Sequence, residues 1–123
     1  MNFTFEDRKA VYCIARAMVF ADGNVDDNEM KALAGEMFRI GSTTDELMGF
    51  EDTLGDYEAS DAIDRISRFD AEKKKYFCAF LGALIAVDGD VDENEVKLWA
   101  LTSRFCGLPT MSIKEAFEYM ANL

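Results

Sequence analysis

The chain has 123 residues, one domain's worth, and at that length roughly two thirds of the unfolded surface is buried on folding, so no disulfide framework is needed to hold a core. Its 24 acidic and 13 basic side chains give a formal charge of −11 at pH 7, which repels phosphate backbones and argues against nucleic-acid binding while suiting cations or basic partners. Cys13, Cys78 and Cys106 are an odd number set among apolar neighbours, and they read as small buried hydrophobes of a reducing cytosol.

The start, MNFTFEDRK, has no basic region followed by an apolar one, so no secretory signal is expected and the expected location is cytoplasmic. Helical periodicity then dominates, and the pattern predicts an all-α single domain of about seven helices with short connections. The first helix runs from about Phe5 to Ala21. An acidic segment, ADGNVDDNEMK, leads into an amphipathic helix whose stripe of Met30, Leu33, Ala34, Met37 and Phe38 has core-facing spacing and which Gly41 ends. Two shorter helices follow. Thr43 to Leu54 opens with Thr43 and Glu46 at capping-box spacing, and Tyr57 to Arg68 carries Ala59, Ala62, Ile63 and Ile66 on one face. Lys73, Lys74 and Lys75, preceded by Arg65 and Arg68, read as a solvated face. The helix from about Ala71 to Val87 contains the longest apolar run, Tyr76 to Val87, too short to span a bilayer and expected to be buried on nearly all sides, so no membrane insertion is expected. A second acidic segment, VDGDVDENEVK, opens a helix closed by Gly107 and Pro109, and Ile113, Ala116, Phe117, Met120 and Ala121 stripe the last one.

The two acidic segments are one segment written twice. Asp22, Gly23, Val25, Asp26, Asn28, Glu29 and Lys31 recur as Asp88, Gly89, Val91, Asp92, Asn94, Glu95 and Lys97, an offset of 88 − 22 = 66. The same offset relates Phe3, Glu6 and Lys9 to Phe69, Glu72 and Lys75, and Gly41 to Gly107. The repeated unit is a helical hairpin, at about residues 3–41 and 69–107, with middle helices at about 42–68 and a C-terminal helix at about 110–123. Neither hairpin buries its apolar face alone, so the two are expected to pack together with pseudo-two-fold symmetry.

Most of the repeated segment has a folding explanation. Gly23 and Gly89 suit a left-handed turn, Asp26 and Asp92 are N-cap residues, and Glu29 and Glu95 stand three residues on, at capping-box spacing. Asp22 and Asp88 are left over, since a negative charge at a helix carboxyl end is disfavoured by ~0.3–1 kcal/mol. With Asn24 and Asp26, or Asp90 and Asp92, they make alternating oxygen ligands for a hard ion, calcium or magnesium, with Glu29 and Glu95 as second-line ligands. A standard EF-hand is rejected: its sixth-position glycine is Asp27 or Glu93 here, and its twelfth-position glutamate is Leu33 or Trp99.

A helix ending in Ala-Asp-Gly-x-Val-Asp, then x-x-Glu and an amphipathic helix, repeated after a middle helical segment, resembles the tellurite-resistance TerB family and the TerB-like domain of the DjlA co-chaperones. The resemblance covers the chain from Phe3 to the final helix. It implies an all-helical intracellular bacterial domain linked to tellurite and other stress resistance, with metal binding and assembly with protein partners near the membrane. The family's acidic positions fall on Asp22, Asp26 and Glu29, and on Asp88, Asp92 and Glu95. The chain shows no J-domain, no transmembrane helix and no histidine, so no co-chaperone activity is expected of it. The sequence thus reads as a non-enzymatic TerB-like binding module whose acidic turns take a divalent cation or a basic partner. The alternative is a structural or scaffolding domain whose acidic turns serve only as helix caps. A carboxylate-dependent metal hydrolase is the weakest reading, because no histidine and no nucleophile motif accompany the carboxylates.

Overall fold

The computed structural model describes residues 1–21, 23, 26–87, 89 and 91–123. Among them are seven α-helices and no strand: α1 (Phe5–Val19), α2 (Asp27–Arg39), α3 (Thr44–Thr53), α4 (Ala59–Ser67), α5 (Ala71–Ile85), α6 (Glu93–Cys106) and α7 (Ile113–Ala121), with a short 3-10 turn at Leu54–Asp56. The all-α expectation is met. The predicted ends overshoot by a residue or two, as for α1 and α5, which stop at Val19 and Ile85.

Local chemistry sets each start. Thr4 accepts from the Asp7 amide while Asp7 Oδ2 accepts from the Thr4 amide at 3.0 Å, a complete capping box on α1. At the matching position of the second copy, Asp70 caps α5 through the Lys73 amide at 2.8 Å. Only half of the expected box forms on α3. Thr43 accepts from the Glu46 amide, but the Glu46 carboxylate turns away to Arg8, with Nε–Oε1 and Nη2–Oε2 at 2.7 and 2.9 Å, because a bidentate guanidinium pair outcompetes one backbone amide.

Helix α5 lies at the centre. Tyr76 to Gly82, Leu84 and Ile85 are all buried, as the long apolar run predicts. Helix α7 runs along it, α6 and α1 pack against it, and α4 closes over α1. The amphipathic stripes are buried less completely than their spacing predicts. Leu33 and Met37 fill the seam that α2 makes with α1 and α5, while Phe38 stays 46 % exposed at its edge. On α7 only Ala116 is fully buried, Phe117 is 43 % exposed and Ala121 lies outside, because this helix packs chiefly along α5. Ala59, in the first turn of α4, is likewise exposed.

The three helices α5, α6 and α7 converge on one residue. A Cβ built on Gly82 would stand 2.6 Å from the Trp99 ring and 2.7 Å from Ala116 Cβ. Trp99 is fixed in that position by its indole N–H, which donates to the Cys78 carbonyl at 3.1 Å. Ala normally improves a helix by about 1 kcal/mol over Gly, yet here the added methyl meets a ring and a backbone-anchored Cβ that cannot both withdraw. Gly82→Ala is therefore expected to destabilise the fold by ~1–3 kcal/mol in urea unfolding; unchanged or raised stability would show that α6 and α7 adjust freely around α5.

Candidate functional site

The two acidic turns are built alike wherever the structure describes them. Gly23 and Gly89 have φ of 80° and 84°, the left-handed region that glycine enters without a Cβ clash. Each amide donates back to the helix end, Gly23 to the Phe20 carbonyl and Gly89 to the Ala86 carbonyl, both at 3.1 Å. Asp26 Oδ1 accepts from the Asn28 and Glu29 amides at 2.8 and 3.0 Å; Asp92 Oδ1 accepts from the Asn94 and Glu95 amides at 2.8 and 3.1 Å. Both aspartates are thus N-caps, as expected, and in both a single oxygen does the capping.

Glu29 and Glu95, which the sequence makes second-line ligands, are unusually deep. They are 6 % and 1 % exposed, at the first turn of α2 and α6. Burying an ionised carboxylate costs several kcal/mol unless charge and hydrogen bonds offset it. Their burial is a property that the two copies share. Asp22, Asn24, Asp88 and Asp90, the remaining predicted ligands, lie outside the described residues. Among the described residues no three Asp, Glu, His or Cys side chains converge as metal ligands.

A second charged cluster joins three helices. Asp7, 4 % exposed, receives Arg65 Nε of α4 at 2.9 Å on Oδ1 and Lys73 Nζ of α5 at 3.2 Å on Oδ2, while Arg65 Nη2 also donates to Thr4 Oγ1 at 3.1 Å. Lys73 lies over the Phe3 and Phe69 rings as well, at 5.2 and 5.6 Å. The lysine run is thus no uniformly solvated face: Lys73 is drawn inward, Lys74 is half-buried, and only Lys75 is exposed, over the Tyr119 ring. Asp7 is not among the residues singled out from the sequence, although its spacing from Thr4 is that of a cap. Its long-range partners left no local signal.

The cysteines do not extend either cluster. All three are buried and free, and burial pushes their thiols up, that of Cys106 to about 11, which keeps them protonated and poor nucleophiles at neutral pH.

No family model and no curated protein matches the chain. Among solved structures, the crystal structure of a protein of unknown function from Porphyromonas gingivalis is 40% identical, with a TM-score of 0.86, the match covering 100% of this chain and 99% of that chain. The chain belongs to that protein's family. The match spans the whole chain, and it assigns no reaction or ligand to it.

For Asp7, burial acts to raise the carboxyl pKa, but the Thr4 amide, Arg65 and Lys73 together outweigh it and hold the group below its ordinary value. A depressed folded-state pKa contributes stability that is present above the ordinary carboxyl range and is lost as pH falls through the folded value. Asp7→Asn is expected to cost ~2–4 kcal/mol at neutral pH, discounted from a fully buried pair because Arg65 is partly exposed. The mutant should also lose less of its remaining stability on acidification than the wild type. Parallel acid-limb curves for the two proteins in urea melts from neutral pH downward would contradict this.

Proposed function

We propose that this protein is a non-enzymatic, TerB-like binding module in which two hairpins related by a pseudo-two-fold axis each present an acidic turn to a divalent cation. The reading rests chiefly on how Asp26 and Asp92 are used. In each, Oδ1 accepts both cap hydrogen bonds, and Oδ2 accepts none among the described residues. One carboxylate can therefore cap a helix and offer an oxygen to a hard ion at once, in company with Asp22 and Asn24 or Asp88 and Asp90 from the sequence.

The pseudo-two-fold reading draws on contacts between matching positions. Residues at equivalent points of the two copies meet one another: Phe3 stacks edge-on with Phe69, centroids 6.0 Å apart, and Asp7 pairs with Lys73. A two-fold axis brings each residue on it against its own counterpart. Helices α1 and α5, each of 15 residues, would cross there. The TerB resemblance adds a setting of tellurite and stress resistance in a bacterium, with protein partners near the membrane. No helix of the described residues is long and apolar enough to cross a membrane, so such a module would reach that surface through a partner.

The competing reading, a scaffold whose turns are caps alone, is favoured by the fact that the described glycines and cap aspartates already have complete folding roles. Charge separates the two. Asn caps a helix about as well as Asp, so Asp92→Asn is expected to leave stability in chelator within ~0.5 kcal/mol. Cation-linked stabilisation, ~2.7 kcal/mol for a site at a hundredfold excess of ion over Kd, should fall in the mutant. Because Asp90 supplies a carboxylate where Asn24 supplies a neutral carbonyl, amide shifts around Gly89 should begin at lower calcium than those around Gly23. An identical calcium response in wild type and Asp92→Asn, or none at all by calorimetry, would leave the scaffold reading standing.

A further inference from the structure

The acidic turns leave one feature of the molecule unused. Helix α6 and the connection to α7 form a pocket of about 400 Å³, open to solvent on one side and walled by Val96, Trp99, Leu108 and Met111. That is within the size range of small-molecule sites, which are mostly apolar with a few polar groups. Its polar lining includes Ser103 and Arg104. Among the described residues no Asp or Glu lines it, in a chain that carries 24 of them.

Arg104 is the unusual member. Arg8, Arg16, Arg39, Arg65 and Arg68 are each paired with a carboxylate. Arg104 has no ion-pair partner among the described residues, although the net charge of −11 makes carboxylates plentiful. An exposed arginine with no ion-pair partner among the described residues therefore lines the pocket, along with an indole that the fold holds in place through its own hydrogen bond to Cys78.

We infer that this cavity is a binding site for a monocarboxylate with an apolar body, the body against Trp99, Leu108 and Met111 and the carboxylate on Arg104. A guanidinium presents a planar fork matched to a carboxylate. A phosphate dianion fits less well, since a single cation in so negative a molecule leaves its second charge uncompensated. Ser103 Oγ supplies a further hydroxyl in the same lining.

Trp99 is the only tryptophan of the chain, so its emission reads this cavity. Octanoate, below its micelle-forming concentration, is expected to change that emission saturably. Octanol, which has the same tail without the charge, should bind about tenfold more weakly. In Arg104→Gln, a surface substitution that leaves the core intact, the preference for octanoate should vanish while octanol binding persists. The Thr110 and Met111 amides give a second readout by chemical shift. Unmoved amides together with unchanged Trp99 emission would overturn the site. Octanoate binding as tightly to Arg104→Gln as to the wild type, or no more tightly than octanol to the wild type, would overturn the role of Arg104 and with it the carboxylate assignment.

Discussion

A single buried carboxylate fixes how the helices meet. Asp7 completes the cap that starts α1, and the same side chain receives Arg65 from α4 and Lys73 from α5. An ionised group this deep is tolerable only when its oxygens are met from several directions, which makes its surroundings far less adjustable than an apolar contact of the same size. The aromatic floor beneath it, Phe3 against Phe69 and Tyr76, gives Lys73 an apolar surface for its stem and ring faces for its charge. The start of α1 is thereby tied to both the middle helices and the second copy.

From that junction α5 carries the rest. Its sequence from Tyr76 to Ile85 is almost wholly apolar, so it has no solvent face to keep and can be enclosed by α1, α6 and α7. Close approach has to be made possible somewhere, and Gly82 does so for two neighbours at once, at the Trp99 ring and at Ala116. The opposite end of the Trp99 environment is the pocket under the α6–α7 connection, so the residue that demands glycine in α5 also shapes an apolar recess that Arg104 lines.

What could be read from the sequence was what neighbours along the chain decide. Seven helices, the Asp26 and Asp92 caps, the left-handed Gly23 and Gly89, and the enclosed α5 all follow from spacing and residue type within a turn or two. What could not be read were choices among competing partners far apart in sequence. Glu46 had the spacing of a capping box and instead took Arg8, and Lys73 had the company of a solvated run and instead took Asp7. Phe38 and Phe117 had the period of core residues, but periodicity gives the direction of a side chain and says nothing of whether a neighbouring helix is wide enough to cover it.

The acidic turns show the same division between local and distant causes. The N-terminal end of α2 or α6 favours a nearby negative charge, which together with capping is sufficient reason for Asp26 and Asp92. Glu29 and Glu95 stand three residues on, in the same first turn and deeper than the caps, at 6 % and 1 % exposed. Cap, dipole and a buried carboxylate thus coincide at the same point of both copies, and these local causes make each turn acidic whether or not an ion is ever bound there. That is why the response to calcium, with its demand for several oxygens at once, is more discriminating than any measurement of stability alone.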